Sequence, residues 1–412
     1  MANVSSSNGL EKRPKLRFPG FDEPWQTTLL SSVFAKNTQK NADGRITNVI
    51  CNSAKQGLIP QREYFDKDIA NSDNTNGYYI IEENDFVYNP RKSADAPYGP
   101  ISSYKYTEAG IVSPLYLCFR AKKEINPAFF EWYFQSPAWH RYVYMSGDSG
   151  ARHDRVSIKD DIFFAMPICL PSAHEQERIA SFLERVDQRI EKQRALVDAL
   201  KKYKRGLLSR EFGQQENGDL NNRHVGKLKD YFHLSSGSTP SSTNRAFYSG
   251  NIRWVSSGEL KPKYLCETSQ HISSEAVSSC NLREYPANTL LIAMYGLEAA
   301  GVRGTASILS VPATISQACM AIQQTGEIDI EYLYYWYIYN GQWIGIRIAQ
   351  GTKQQNLSTD TLGNLRIHAP SCGKQKKVCK LLSQIDYLIE KESQKFDLIS
   401  SVKRGLLQQI FI

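Results

Sequence analysis

Residues 171–212 carry apolar side chains at alternating steps of four and three, the 3.5-residue period of a helix that buries one narrow seam. Pro171 and Ser172 suit the start of that helix, as entry residue and cap. A helix of this length is too long to bury its seam on one small domain, so the pattern favours a partner helix. The seam residues are Ile179, Leu183, Val186, Ile190, Val197, Leu200 and Leu207.

The same pattern returns over residues 370–412, at a constant offset of 199 positions and without a gap. Gln193 and Glu392 interrupt the two seams at equivalent places. An internal duplication explains this agreement, and two equivalent helices favour an antiparallel pair. The alternative is that each amphipathic helix lies on its own domain. The second seam consists of Val378, Leu382, Ile385, Ile389, Phe396, Ile399 and Leu406.

The similarity continues more faintly upstream, where residues 150–157 match 351–358 and aromatic residues 129–134 match 332–337. Short apolar runs predict strands near residues 80–81, 86–88, 115–119 and 290–294, and helices over 127–135 and 330–340. We therefore predict an α+β fold with an internal pseudo-two-fold repeat. Its parts are a flexible tail (1–17), a first variable domain (18–170), helix 171–212, a linker (213–224), a second variable domain (225–369) and helix 370–412.

Composition adds limits on function. The 412 residues are 41% hydrophobic and carry a net charge of +8, which permits nucleic acid as a partner without establishing it. The sequence predicts neither a membrane span nor a secretory signal. Eight scattered cysteines form no Cys-x-x-Cys pair, which favours a reducing cytoplasm and argues against a zinc site or a disulfide framework.

The usual catalytic motifs do not occur in the sequence. Neither an ATP-binding Gly-x-x-x-x-Gly-Lys-Ser/Thr loop nor a dinucleotide-binding Gly-x-Gly-x-x-Gly loop is present. Residues 89–92 lack the second proline and the aromatic residue of an amino-methyltransferase motif. Residues 259–261 resemble the end of a nuclease metal site, but no aspartate precedes them at a suitable distance. We therefore predict a chain without catalytic residues and without metal ligands.

Several loops instead carry side chains that bind DNA in other proteins. Arginine and lysine grip phosphates or the guanine edge, and glutamine and asparagine pair with adenine. Two of these loops occupy the same position in the two halves of the chain. The predicted DNA contacts are Asn89, Arg91, Lys92, Arg152, His153, Arg155, Arg303, Lys353, Gln354, Gln355 and Asn356.

The duplicated pattern resembles the specificity subunits of type I restriction–modification systems. The resemblance is carried by Glu175–Leu183, Asp187, Ile190 and Lys204–Leu208, and it covers nearly the whole chain beyond residue 18. Motifs 252–254 and 293–296 add to it, which brings Trp254 and Tyr295 into the predicted DNA contacts. One departure is Cys372-Gly373-Lys374, where the acidic residue of the first copy is missing.

The resemblance implies that each variable domain is a target recognition domain reading one half of a bipartite, asymmetric DNA site. The paired helices would set the gap between the half-sites. Two methylation subunits would bring S-adenosylmethionine to adenine N6, and restriction subunits would use ATP and magnesium, so this chain would hold no cofactor itself. A free-standing DNA-binding regulator, or a specificity chain for a fused nuclease–methyltransferase, would share this architecture.

Overall fold

The computed structural model describes residues 12–64, 75–147, 154–213, 223–299, 301–349 and 356–412. The chain forms two compact units. One is built from two separate parts of the sequence, and the other is built from its middle. Unit 1 comprises residues 1–194 and 394–412, and unit 2 comprises residues 195–393. Each unit therefore contains one variable domain and parts of both long helices.

Unit 1 is a mixed domain of short strands and helices. Its elements are β1 (Gln26–Leu29), α1 (Leu30–Val33), β2 (Phe34–Lys36), β3 (Ile50–Ser53), β4 (Gly57–Pro60), α2 (Gln61–Tyr64), β5 (Tyr79–Ile81), β6 (Phe86–Tyr88), β7 (Ile101–Ser103), β8 (Gly110–Val112), β9 (Leu117–Ala121), α3 (Pro127–Gln135), α4 (His140–Ser146), α5 (Asp160–Phe164), β10 (Pro167–Leu170) and the first part of α6 (Ala173–Phe212).

Unit 2 has the same kind of architecture. Its elements are β11 (Arg223–Lys227), α7 (Leu228–Tyr231), β12 (Phe232–Ser236), β13 (Ile252–Val255), β14 (Tyr264–Leu265), β15 (Gln270–Ile272), α8 (Ser274–Ser279), β16 (Leu290–Ala293), β17 (Ala306–Leu309), β18 (Thr314–Ile315), β19 (Cys319–Gln324), α9 (Ile330–Trp343), α10 (Thr359–Gly363), β20 (Arg366–Pro370) and the first part of α11 (Cys372–Ile410). A π-helical turn, Ile344–Ile348, extends α9.

The central sheets of the two units have equivalent strand orders. The sheet of unit 1 runs β2-β9-β6-β7, and that of unit 2 runs β12-β19-β16-β17-β14. In each domain a separate antiparallel pair joins the first strand to the last one. These pairs, which we call the closing pairs, are β1 with β10 in unit 1 and β11 with β20 in unit 2. The mixed α+β class expected from the sequence agrees with these elements.

An aromatic helix completes each core, and its start is fixed locally. In α3 the Asn126 side chain accepts from the backbone N–H of Phe129, with proline at the first helical position. In α9 the Asp329 side chain caps the helix by accepting from the N–H of Glu331. Along both helices the aromatic side chains are almost all buried. The predicted bounds of α3 match the observed ones.

The predicted seams of α6 and α11 contain no exposed residue. Seven of these residues are buried: Ile179, Leu183, Ile190, Gln193, Val197, Leu382 and Ile385. The remaining predicted seam residues are half-buried: Val186, Leu200, Leu207, Val378, Ile389, Glu392, Phe396, Ile399 and Leu406. In unit 1, Ile179 and Leu183 share a hydrophobic cluster with Trp132 of α3 and Leu407 of α11. The start of α6 therefore packs against both its own domain and the end of the other long helix.

A lysine of one long helix pairs with an aspartate of the other inside each unit. In unit 1 Lys403 contacts Asp187, and in unit 2 Lys204 contacts Asp386. Arg194 also lies 5.5 Å from the ring centre of Phe396 in unit 1. A step of seven residues forward on α6, from 187 to 194, thus matches a step of seven residues backward on α11, from 403 to 396.

Two boundary predictions are corrected by the structure. Residues 12–17 were expected in a flexible tail, but Arg17 makes a two-pronged ion pair with Glu175, both N···O distances being 2.8 Å. Leu16 donates its N–H to the carbonyl oxygen of Gln409, which ties the same segment to α11. Residues 223–224, expected in the linker, form the start of β11, because β20 offers them backbone partners.

The described helices include none that is long and apolar enough to cross a membrane. All eight cysteines are free, and Cys118, Cys169, Cys319 and Cys379 are buried. Burial raises the pKa of Cys118 and Cys319 to about 12, so these thiols stay protonated.

Candidate nucleic-acid interface

In unit 1, two of the segments predicted to bind DNA are hydrogen-bonded to each other. The backbone N–H of Lys92 donates to the carbonyl oxygen of Asp154 at 2.9 Å, and that of Val156 donates to Pro90 at 2.9 Å. Arg91 and Arg155 form the antiparallel bridge between these bonds. Two arginines that are 64 positions apart in sequence are therefore brought side by side.

A close backbone contact holds the first of these loops in place. The Asn89 side chain accepts from the N–H of Arg91, and its amide donates to the carbonyl of Asn52. Gly99 has a φ of +83°, and a Cβ there would lie 2.1 Å from the carbonyl oxygen of Asn89. Only glycine fits this position, because a side chain there would collide with the backbone of Asn89.

The loops border an open groove of about 650 Å³ that is rich in positive charge. Among the described residues its cations are Lys55, Arg91, Lys92 and Arg155, and its one acidic residue is Asp95. Lys55 lies 3.5 Å from Asp95 with both side chains mostly exposed, so this pair is weak. The groove therefore has a net positive charge, which favours a polyanion.

Arg155 is the least satisfied of these cations. Its Nε is buried without a hydrogen-bond acceptor among the described residues, and Oδ2 of Asp154 is 3.9 Å away. A buried guanidinium N–H that lacks an acceptor costs free energy until a ligand supplies one. Arg155 is thus prepared to bind an incoming oxygen or ring nitrogen.

A neighbouring groove of about 610 Å³ shares Pro90, Leu115, Tyr116 and Arg155 with the first. Its own cation, Lys36, is paired with Asp160. The hydrogen bond to Asp160 raises the pKa of Lys36, so Lys36 stays charged and has an acidic partner. The free positive charge is therefore concentrated in the first groove.

Two further groups on the groove wall are neutral. Burial is the main cause that raises the pKa of the Tyr116 phenol, with Arg91 acting weakly in the opposite direction. Burial also raises the pKa of the Cys51 thiol. Both groups remain protonated near neutral pH and offer hydrogen-bond donors rather than negative charge.

Unit 2 joins the corresponding segments by the same kind of backbone bonds. The carbonyl of Met294, just after β16, accepts from the N–H of Leu357 at 2.9 Å, and the N–H of Met294 donates to Ala318. Tyr295 follows with its side chain 37% exposed. Asn356 adjoins this loop, and its buried Oδ1 has no donor among the described residues.

Two predicted DNA contacts in unit 2 are corrected. Trp254 is 7% exposed and packs in a hydrophobic cluster, with its Nε1 directed at the carbonyl of Ser238. Arg303 donates from Nε to the carbonyl of Leu297 and from Nη2 to that of Glu298, so it braces its own loop. Both side chains therefore have structural partners within unit 2.

Some residues that sequence reasoning passed over stand out in the structure. Lys55, at the tip of the β3–β4 hairpin, belongs to the basic groove. Arg253 carries a buried Nε without an acceptor among the described residues, as Arg155 does. It precedes Trp254 in β13, and side chains alternate along a strand, so the inward Trp254 implies an opposite-facing Arg253. The predicted contacts Arg152, His153, Lys353, Gln354 and Gln355 lie outside the described residues.

One cluster in unit 2 has the donor types of a metal site. Ligand atoms of Asp329, Glu331 and Cys379 lie within 4.8 Å of one another. Asp329 is occupied as the cap of α9, and Glu331 is paired with Lys263 and accepts from Ser383 at 2.6 Å. These interactions explain the cluster as the attachment of α9 to α11.

The class of protein is one with two α+β domains, each of which packs on parts of two long helices. A family model described as the type I restriction modification DNA specificity domain matches residues 24–200 and, a second time, residues 222–400. The matches cover most of the sequence, and the chain belongs to this family.

Individual relatives agree with that assignment. The chain is 28% identical over 192 residues to the type I restriction enzyme MjaIX specificity subunit of Methanocaldococcus jannaschii, covering 46% of this chain and 43% of that protein. The alignment thus spans less than half of that relative's length.

Solved structures share the fold over nearly the full length. A chain from a study of complex assembly and conformational transition of the type I R-M system superposes with a TM-score of 0.64 at 15% identity, covering 95% of this chain and 98% of that one. The type I restriction-modification system S subunit from M. genitalium gives a TM-score of 0.57 at 15% identity, with 97% and 99% coverage.

Proposed function

We propose that this chain is the DNA sequence-recognition subunit of a type I restriction–modification complex. Each unit reads one half of a bipartite, asymmetric site, and the chain itself carries no catalytic residues. Membership of the specificity family supports this proposal. The chemistry belongs to partner subunits, which this chain directs to an address on DNA.

The observation that carries the proposal is the recurrence of one loop arrangement in both units. The loop after β6 is joined to Asp154 and Val156 in unit 1, and the loop after β16 is joined to Leu357 in unit 2. The scaffold is the same while the side chains differ, as expected for two domains that read different half-sites. The basic groove of unit 1 supplies the charge that DNA phosphates require.

The two long helices form the spacer in this proposal. Contacts of α6 with α11 inside unit 1, at Asp187–Lys403 and Arg194–Phe396, run in opposite directions along the two helices. Lys204–Asp386 keeps the same register inside unit 2. These contacts support a continuous antiparallel coiled coil, and the equivalent strand orders support a pseudo-two-fold repeat. The coiled coil would fix the gap between the half-sites.

The partners follow from the family assignment and are part of the proposal. Two methylation subunits supply S-adenosylmethionine for adenine-N6 methylation, and restriction subunits supply ATP- and magnesium-dependent cleavage. Double-stranded DNA is the shared ligand, and the complex acts in the cytoplasm.

Methylome sequencing of cells with and without this chain tests the proposal. We expect one bipartite adenine motif to lose its methylation when the chain is deleted and to regain it on complementation. Purification of the full-length chain from native lysate should also recover methylation subunits. An unchanged methylome, together with a purification that recovers no methylation subunit, would favour a free-standing regulator instead.

A further inference from the structure

One turn beside the candidate interface is closed by the same backbone hydrogen bond in the two units but carries different side chains. In unit 1 the turn Ser113–Tyr116 joins β8 to β9, and the N–H of Tyr116 donates to the carbonyl of Ser113 at 3.0 Å. In unit 2 the turn Ser316–Cys319 joins β18 to β19, and the N–H of Cys319 donates to Ser316 at the same 3.0 Å. We call these two segments the tip turns.

The tip turns present unlike residues to solvent. In unit 1 the exposed tip is Pro114-Leu115, and Leu115 is 61% exposed. In unit 2 the corresponding tip is Gln317-Ala318, with Gln317 exposed and its backbone N–H anchored on Oγ1 of Thr239 at 3.2 Å. A common backbone with different exposed side chains is what two related domains need in order to read different sequences.

The position of each tip turn adds a second argument. Leu115 lines both grooves of unit 1, beside Arg155 and close to the cations of the first groove. In unit 2 the carbonyl of Ala318 accepts from Met294, whose own carbonyl accepts from Leu357, so the tip turn and the two loops are linked in series. Each turn therefore lies where a bound DNA would meet the loops.

An exposed leucine among cations has a specific use on DNA. Cations bind phosphates, whereas an apolar group gains nothing from phosphate and finds its partner in the C5-methyl group of thymine. Glutamine instead offers a donor and an acceptor that match the N6/N7 edge of adenine. Neither tip carries a charge, so neither adds to binding that is independent of sequence.

We propose that the tip turns are specificity-determining elements, with Leu115 contacting a thymine methyl in the first half-site and Gln317 an adenine edge in the second. This inference rests on the proposed function, since it assigns base positions within the sites that the two units read. Two residues that the sequence did not predict as DNA contacts would then determine one base pair in each half-site.

The experiment compares the methylomes of cells that carry the wild-type chain, Leu115→Gln or Gln317→Leu. Leu115→Gln should change the preference at one position of the first half-site only, and Gln317→Leu at one position of the second only. Loss of the glutamine contact should lower discrimination at its position by about 10- to 100-fold. Leu29→Ala and Gln384→Ala remove the same side-chain types from exposed positions elsewhere and should leave the motif unchanged.

Binding of the purified full-length chain to uracil-substituted DNA tests the methyl contact directly. Replacing the relevant thymine by uracil should weaken wild-type binding by about fourfold, as loss of one buried methyl group predicts, and should leave Leu115→Ala unaffected. A first half-site without an A·T pair, or variants that keep every base preference, would overturn the inference. If deleting the whole chain leaves the methylome unchanged, the proposed function itself has failed.

Discussion

Replacing Arg91 and Arg155 by alanine tests whether the basic groove of unit 1 binds DNA. Both side chains line the groove, and Arg155 offers a buried Nε that lacks an acceptor within the described structure. The double variant should lose affinity for the first half-site and keep its dependence on the second. The fold should tolerate the change, because the joining bonds of these loops use backbone atoms of Lys92, Asp154, Pro90 and Val156.

The magnitude follows from the number of cations that the groove presents. Each lysine or arginine on a phosphate contributes about 0.9 to the slope of log affinity against log salt. Loss of two such contacts lowers the slope by about 1.8, so the affinity gap between wild type and variant narrows about twelvefold from 50 to 200 mM salt. If the arginines contact base edges instead, each costs about 1–3 kcal/mol for the correct half-site, and the slope changes less.

Fluorescence anisotropy on DNA with one half-site scrambled measures both quantities for the full-length chain. Arg45→Ala is the matched control, because Arg45 is an exposed arginine of unit 1 that pairs with Asp43 away from the groove. A change of slope in Arg45→Ala that is half that of the double variant would show that net charge, rather than the groove, sets affinity, because the control removes one cation instead of two. Equal losses for both scrambled duplexes with a lower slope would mean that the arginines contact phosphates, because such contacts do not depend on sequence. Equal losses without a change of slope would refute the assignment of the groove to DNA binding.

Three further predictions address the scaffold. Arg17→Met should destabilise unit 1 by about 3 kcal/mol in denaturant unfolding, because Glu175 is 1% exposed and would be left as an unpaired buried charge; Arg17→Met/Glu175→Leu should recover most of the loss. His140→Gln should reduce the loss of stability in acid. Burial lowers the pKa of His140, so the unfolded chain takes up the proton first and the free energy of unfolding falls as the pH drops below about 6.5. Unfolding measured from pH 8 to 5 should show this dependence in the wild type and not in the variant. Inserting one heptad after Leu200 and one after Ile399 adds about 10 Å to the proposed coiled coil, and the gap in the methylated motif should grow by about three base pairs while the half-site bases stay unchanged; an unchanged gap at full methylation would show that the helices do not set the spacing.

The elements that sequence predicted well are those with a strong local signal. The bounds of α3 follow from a capping asparagine, a following proline and an aromatic run that only Glu131 interrupts. The closing pairs β1–β10 and β11–β20 were missed, because their partners are more than 130 positions apart and neither strand has a clear alternation. Short strands that are stabilised by distant partners leave little trace in a local pattern.

The candidate site shows the same division. The basic loops could be predicted because they recur in the two halves of the sequence, but their hydrogen-bonded pairing could not. Trp254 was assigned to DNA through a motif, whereas the side-chain alternation of β13 buries it and leaves Arg253 on the other side. The sequence shows a similarity between residues 111–113 and 314–316, but the tip turns that follow were not predicted as DNA contacts, because their tip residues carry no charge and are unlike.

The lysines of the long helices show what the period of a seam can and cannot determine. Lys204 and Lys403 occupy positions at which the 3.5-residue pattern calls for an apolar side chain. Inside unit 1, Lys403 lies 4.6 Å from the ring centre of Trp132, and inside unit 2 Lys204 lies 5.6 Å from that of Tyr335.

Both rings belong to the sixth residue of the aromatic helix of their domain, and both lysines pair with an aspartate of the other long helix. Lys204 and Lys403 therefore mark the points where the two domains are attached to the long helices. At these points an ion pair and a cation–π contact replace apolar burial. Because this attachment recurs unchanged in two domains whose loops differ, the loops are free to vary in sequence without disturbing how each domain is held on its helices.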